Sequence, residues 1–443
     1  MSLCDYCDFY SEKLPSSLFP SPFLNALITD IKYQIDYFGI KEIPTVYIGG
    51  GTPSVLGEEI SVLFKELKAI PSFSPVEFTV EANPESLSEG FLRACVAGGV
   101  NRLSLGVQTF CEDSRLAVNR WGVEKNFTRR HGGRGGHGGS WGIDQRRFLA
   151  VTFTERALAS EGSPLKAQRR RGRGGRGELL ESLSLASRYF PDSLSVDLIV
   201  GLPFQDLGGV LDDVKRVLEF KPAFVSLYSL TVEDGTPLYE KLKNKIVTIP
   251  EPEVSDSMWL VGRDALLKAG FEHYEVSNFA LPGKRCLHNL RYWRMESWIG
   301  AGPAASGTVV CEESGTAKRF TYPADVEKYV GEQLAINNEQ LAMNREKGEG
   351  RREEGGGGRE QFGICDCEVL DRMAFLKECL LMGFRCVEGP DPVLFKRRFG
   401  VSVEECIPRT LSRWEGKDKM LFLNGFLAEA FEEVETMDKV FKI

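Results

Sequence analysis

The chain reads as an α/β fold built around a parallel sheet. Short apolar runs alternate with amphipathic helical patterns through the N-terminal half. Alternation of this kind joins parallel strands through crossover helices. A polar residue or a glycine also sits in or just after each strand: Gly49, Glu81, Gln108, Asp197 and Ser229. The first strand is Val46-Tyr47-Ile48, ending in glycines, and Ile60 to Leu67 is the helix after it. Glu77-Phe78-Thr79-Val80 is the second, with a helix over Leu87 to Ala97, and Arg102-Leu103-Ser104-Leu105 the third. Leu194 to Ile199 and Phe224 to Leu230 complete the five legible strands. In a β/α barrel the functional side chains collect at the C-terminal strand ends, and the placement suits one. Periodicity alone fits an open sheet equally well.

Two stretches interrupt the pattern. Residues 125 to 177 contain Gly132-Gly133-Arg134-Gly135-Gly136 and Arg169-Arg170-Arg171-Gly172-Arg173. Glycine and arginine at this density cannot bury a core, so a solvated insertion is expected there, with a helix resuming over Leu179 to Ser187. Arg345 to Glu360 is again Gly, Arg and Glu and reads as a polar linker. Beyond it, Cys365-Asp366-Cys367 reads as a loop, Leu370 to Phe384 as a helix, and Phe395 to Gly400 as a basic helix end closing on a C-cap glycine.

At 443 residues the chain can hold two domains and a large core. Its 42% hydrophobic and 27% charged residues are those of a soluble globular protein. A net charge of −8 argues against bulk nucleic-acid binding. No apolar run is long enough for a bilayer span and no basic-then-apolar leader opens the chain, so a cytoplasmic location is expected. Most of the 11 cysteines read as small buried hydrophobes.

Chemistry concentrates in a few places. Cys4-Asp5-Tyr6-Cys7 sets two thiols around an aromatic ring; alone, such a pair suits a zinc knuckle, a redox couple or a cluster loop. Gly49-Gly50-Gly51-Thr52-Pro53 follows a strand, where glycines allow positive φ and close approach of backbone to a ligand, or simply a tight turn. Glu81 and Asp197 are acceptors suited to hydroxyls and Arg120 suits a carboxylate; an isolated acid or base elsewhere is a helix cap or a surface ion pair. His288-Asn289-Leu290-Arg291-Tyr292-Trp293 places an imidazole beside two aromatics, either as an iron ligand with rings to pack on a porphyrin or as a buried, hydrogen-bonded histidine. Gly300-Ala301-Gly302-Pro303 to Ser306 reads as a second backbone-approach loop.

Taken in order, the Cys4 to Cys7 loop, Tyr47 to Ser54, Glu81-Ala82-Asn83-Pro84, Ser104 to Gln108, Val196 to Pro203 and His288 to Trp293 resemble the radical S-adenosylmethionine proteins. Within them the chain resembles the HemW haem-chaperone family and the related oxygen-independent coproporphyrinogen III oxidases (HemN). The resemblance implies a partial (β/α)6 barrel with a smaller C-terminal α+β or helical domain. It divides the chain into a barrel over 1–235, a barrel extension with the HNxxYW motif over 236–344, a linker over 345–362 and a HemN/HemW-like domain over 363–443. It also implies a [4Fe-4S] cluster held by Cys4 and Cys7, which match the second and third cysteines of CxxxCxxC. The first would fall before Met1, and the family's first strand lies before that loop, so the N-terminus reads as truncated. By the same resemblance Tyr6 lies against S-adenosylmethionine and Gly50, Gly51 and Thr52 contact its methionine part. Glu81, Gln108, Arg120 and Asp197 match further contacts, and Ser229 matches more loosely. One electron from the cluster would split the sulfonium and release a 5′-deoxyadenosyl radical.

The implied function is a haem chaperone that binds haem through His288 and passes it to acceptor haemoproteins, with an electron donor, transient membrane association during delivery and no specific nucleic acid. The alternative is a coproporphyrinogen III oxidase acting by oxidative decarboxylation; Phe9, where the oxidase has a further cysteine, and the HNxxYW match favour the carrier. A third reading is a degenerate fold without an intact cluster, since one expected cysteine is missing from the chain.

Overall fold

The computed structural model describes residues 4–7, 18, 20–120, 148–152, 176–335 and 365–437, with backbone alone at 148–152, 176 and 437. Among these residues twelve strands form one sheet: β1 (Ile43–Gly49), β2 (Phe73–Ala82), β3 (Arg102–Gln108), β4 (Phe148–Thr152), β5 (Leu194–Val200), β6 (Phe224–Ser229), β7 (Glu272–His273), β8 (Asn278–Ala280), β9 (Trp298–Ala301), β10 (Ser306–Cys311), β11 (Thr316–Thr321) and β12 (Asp366–Leu370). Their order is β12-β11-β10-β9-β4-β1-β2-β3-β5-β6-β8-β7. The run from β9 to β6 is parallel, and antiparallel strands extend it at both ends.

All five strands legible in the sequence form, and so do the helices, as Ile60–Lys68, Glu89–Gly98 and Arg176–Tyr189. Three expectations change. The stretch 125–177 is not insertion throughout. Phe148–Thr152 is a strand pairing with β1 at Val46↔Leu149 and with β9 at Leu149↔Ile299, while β3 pairs directly with β5. The reason is local: an apolar run with a β-branched end is hidden when composition is averaged over its Gly/Arg flanks. The flanks themselves lie outside the described residues, as does the 345–362 linker. Second, Cys365-Asp366-Cys367 is not a loop, because Asp366 and Cys367 open β12, which pairs with Thr321 and Phe320. Leu370 ends that strand, and the helix begins at Arg372 under an Asp371 cap whose carboxylate accepts from Ala374 N at 2.8 Å. Third, Gly300 and Ala301 belong to β9, although backbone approach is real there: a Cβ on Gly300 would collide with the Ser306 carbonyl.

The sheet has two unlike faces. Val46, Ile48, Phe78, Val80, Leu103, Leu105, Val196, Leu198, Val225 and Leu227 are all buried and pack outward under the helices. Parallel sheets are ordinarily apolar on both faces. Here the other face of the same strands carries Thr45, Tyr47, Thr79, Glu81, Ser104, Ser195, Asp197 and Ser226. A second core gathers Phe375, Phe384, Phe395, Phe399 and Phe426 with Leu370, Val310 and Ala317. The C-terminal helices thus pack on the antiparallel strands. Pro392–Phe399 ends on Gly400 at φ 73°, the expected C-cap.

Candidate functional site

Register places the polar face in rows. Tyr47 pairs with Thr79, Glu81 with Ser104, Gly106 with Asp197, and Asp197 with Ser226. Because side chains alternate along a strand, these pairs share one face, and the upper row reaches the C-terminal strand ends. Glu81 is held there from two sides: Tyr47 Oη donates to its Oε1 at 2.5 Å and Gly50 N to its Oε2 at 3.0 Å. Gly50 and Gly51 have φ of 73° and 46°, which glycine adopts without strain. A Cβ on Gly49 would stand 2.6 Å from the Tyr47 ring and 2.8 Å from the Glu81 carboxyl, so the pair requires the glycine. Asp197 accepts from Ser104 Oγ at 3.2 Å.

The cysteine loop docks over this end. Asp5 N donates to Val118 O and Leu238 N to Asp5 O, each at 2.8 Å, while Lys241 Nζ pairs with the Asp5 carboxylate at 2.5 Å. Tyr6 packs on Val118, Leu202 and Leu238. Arg120 joins the loop to the sheet: Nη1 donates to Cys4 Sγ at 3.3 Å, and Nη2 donates to Gly106 O at 2.6 Å and Asn83 Oδ1 at 3.1 Å. Asn83 Nδ2 in turn donates to Thr52 Oγ1 at 2.8 Å. Cys4, Tyr6, Gly50, Thr52, Glu81, Arg120 and Asp197 are therefore brought to one end of the sheet. Gln108 ends β3 at φ 69°, just past an irregularity in the β3–β5 pairing. Ser229 is exposed at the end of β6 and hydrogen-bonds to none of the others.

Burial dominates the electrostatics. It raises the Glu81 carboxyl, against the donors Tyr47 and Gly50. It raises Asp197 to about 7, with Ser226 and Ser104 opposing and the Glu81 charge adding. Burial would lower Arg120, but Cys4, Tyr6 and Glu85 outweigh it and hold the guanidinium charged. The Tyr6 phenol is pushed up by burial and by Cys4.

His288 lies lower on the same face. It is 1% exposed, its Nδ1 stands 3.1 Å from Thr45 Oγ1, and its ring stacks on Tyr47 with centroids 5.1 Å apart and meets Tyr292 edge-on. Burial, then Arg291, lowers it to about 3, so the imidazole is neutral. Of the two readings open in the sequence, this geometry favours the buried, hydrogen-bonded histidine. Glu77, unremarked in the sequence, holds the segment in place. Its carboxylate accepts from His288 N at 2.8 Å and Leu287 N at 3.0 Å, and pairs with Arg102 at 3.1 Å. Tyr47, Asn83 and Ser104 were also missed as site residues, although all three lie inside the motifs that flag the site.

Cys4 and Cys7 are the thiols this loop offers to a cluster. Among the described residues no group of three or more His, Cys, Asp or Glu side chains is placed to hold a metal ion. The glycine cradle and the buried acceptors fit a cofactor with hydroxyl and carboxylate groups, and the loop carries its two thiols at the same end of the sheet.

The class is that of the radical S-adenosylmethionine proteins: residues 2–134 match the model of the Radical SAM superfamily. The chain is 30% identical over 339 residues to Heme chaperone HemW of Lactococcus lactis, covering 75% of this chain and 74% of that protein. It is 30% identical over 308 residues to Heme chaperone HemW of Escherichia coli, covering 69% and 67%. It is also 30% identical over 314 residues to the mitochondrial radical S-adenosyl methionine domain-containing protein 1 of Bos taurus, covering 70% of this chain and 59% of that protein. The chain thus spans less than two thirds of the bovine relative. Coproporphyrinogen III oxidase (HemN) from Escherichia coli shares the fold, with a TM-score of 0.65 at 17% identity over 97% of this chain and 87% of that one. The chain belongs to the HemW family of radical S-adenosylmethionine proteins.

Proposed function

We propose that this chain is a haem carrier that binds S-adenosylmethionine and an iron–sulfur cluster at the C-terminal ends of β1 to β6 and passes haem to acceptor haemoproteins. Membership of a family whose bacterial relatives are haem chaperones carries the reading, and the Arg120 bridge from Cys4 to the sheet supports the cofactor end of it. The cluster, when bound, supplies the electron that cleaves the sulfonium of S-adenosylmethionine. The remaining work falls to the chain itself. Cys4 and Cys7 give two thiolate ligands. Arg120 offsets thiolate charge and fixes the loop 3.3 Å from its guanidinium. Glu81 accepts from a ribose hydroxyl, and Asp197, titrating near 7, can accept or donate one proton there. Gly50 and Gly51 let the backbone approach the methionine end, beside Thr52.

Haem needs a second place. His288 has the neutral imidazole that iron requires, but its ring is enclosed between Tyr47 and Tyr292. Iron would reach it only if the helix Leu287–Trp293 left the sheet. The test is a haem titration followed by the Soret band, then transfer to a haem-free acceptor such as apomyoglobin. Binding and transfer without conversion of coproporphyrinogen III is the expected result; conversion would instead make the chain an oxidase. His288→Ala should leave the Soret position unchanged, and loss of the band would show that the helix opens when haem loads.

A further inference from the structure

Cys365-Asp366-Cys367 takes no part in the cofactor end, yet the fold gives it a definite geometry. Cys365 lies just before β12, and Cys367 lies within that strand, paired with Phe320. Side chains two apart along a strand share a face, with Cα atoms about 6.4–6.8 Å apart. Here the sulfurs have turned toward one another: Cys365 Sγ and Cys367 Sγ stand 3.9 Å apart. Neither residue is sealed in. Both are half-buried against the rim of the main core, whereas Cys95, Cys286, Cys311, Cys379, Cys386 and Cys406 are buried.

A disulfide requires Cα atoms within about 7 Å and brings its sulfurs to about 2 Å. Strand spacing meets the first condition. The second asks the sulfurs to close by a further distance of about 2 Å. That movement falls on Cys365, because the pairing of β12 with β11 begins only at Asp366↔Thr321 and leaves Cys365 outside the ladder. Among the described residues β12 is also the outermost strand, with β11 as its one neighbour. Cys367 is the fixed member of the pair and Cys365 the movable one. Burial, then the neighbouring Cys367, raises the Cys365 thiol, which leaves Cys367 to make the first attack on an incoming reagent.

We propose that Cys365 and Cys367 form a redox-active dithiol, oxidised reversibly to an internal disulfide by a low-molecular-weight disulfide of the glutathione type. Cys367 Sγ attacks one sulfur of that reagent, R–S–S–R, forming a protein–S–S–R bond and releasing R–S⁻. Cys365 Sγ then attacks Cys367 Sγ and the second R–S⁻ leaves. The two leaving thiolates carry away the two protein protons as R–SH. The protein sulfurs lose two electrons and the reagent gains them. The ring closes at the entry to β12, which leads through the Asp371 cap into the helix Arg372–Gly383. The site is independent of the haem-carrier reading.

The test uses the full chain, reduced and then equilibrated without oxygen in glutathione buffers of rising disulfide content, alkylated and digested with trypsin. Both cysteines fall in the one peptide that follows Arg359 and ends at Arg372, so mass spectrometry reads them apart from Cys4 and Cys7. The peptide should lose both alkyl labels together and become lighter by two hydrogens, and dithiothreitol should restore both labels. The same chain in urea is the reference. The folded chain should close the ring at a disulfide content lower by about tenfold or more, since the fold holds the two sulfurs together. Labelling of both cysteines in the folded chain at every buffer composition overturns the proposal. So does a persistent glutathione adduct with no internal disulfide, or a folded chain that closes the ring no more readily than the denatured one.

Discussion

Glu77→Ala should detach the HNxxYW helix from the base of the sheet. The Glu77 side chain is 5% exposed and serves two structures at once. It accepts from the first N–H groups of the helix Leu287–Trp293, where Cys286 provides no capping side chain, and it pairs with Arg102. Loss of a helix cap costs about 1 kcal/mol. Breaking a buried ion pair by removing one partner costs about 3–5 kcal/mol. The two do not add in full. Arg102 keeps its bonds to Lys284 O at 3.0 Å and Arg285 O at 3.1 Å and its place 5.3 Å over the Phe224 ring, so it is not left bare. We therefore expect about 3 kcal/mol for Glu77→Ala and about 1–2 kcal/mol for Glu77→Gln, which keeps the acceptor but not the charge. Urea unfolding with a double-mutant cycle against Arg102→Met separates the parts. The cycle should return a coupling of at least about 1 kcal/mol, the double mutant being less damaged than the sum. A cost below about 1 kcal/mol for Glu77→Ala, or additivity within about 0.5 kcal/mol, would refute the reasoning.

Further outcomes follow from other sites. Asp30 is fully buried among Tyr322, Tyr329 and Gln34 and is raised to about 6 by burial, against those three donors. Its folded-state value lies above the ordinary one, so wild type should lose stability as pH rises from about 4 to 6, by roughly 3 kcal/mol in all; Asp30→Asn should flatten that window, and an unchanged profile would remove Asp30 as its source. Arg120→Met should weaken binding of S-adenosylmethionine and lower iron–sulfide uptake together, because one side chain touches Cys4 and the sheet; loss of neither, by calorimetry and iron analysis, would detach Arg120 from the site. Cys7→Ser should abolish whatever cluster the chain takes up under anaerobic reconstitution, and stoichiometric iron and sulfide in the variant would show that other ligands serve. Phe375→Ala, in the second core, should cost about 3–5 kcal/mol, and a variant within about 1 kcal/mol of wild type would show that this core tolerates the cavity.

The parallel sheet, its first strands and the polar residues along them were legible in the chain, because alternation and glycine punctuation are local signals. Gly49 to Thr52 and Glu81 were legible because they lie at or just past a strand end, and Asp197 because it is a charge inside an apolar strand. The family resemblance was legible for the same reason: its motifs are short, ordered and tied to those strands. The rest depends on contacts between distant segments. Phe148–Thr152 becomes a strand only because β1 and β9 offer it partners on both sides, and Cys367 because Phe320 does. The enclosure of His288 depends on Thr45 and Tyr47, more than 240 positions away, and the Glu77 cap spans 211. Val276 N donates to Arg385 O and the Arg385 guanidinium lies over the Trp293 ring, joining segments far apart in the chain. Contacts of that separation leave no periodicity along the chain, since they are set by which faces must be buried against one another when the sheet and the C-terminal helices pack.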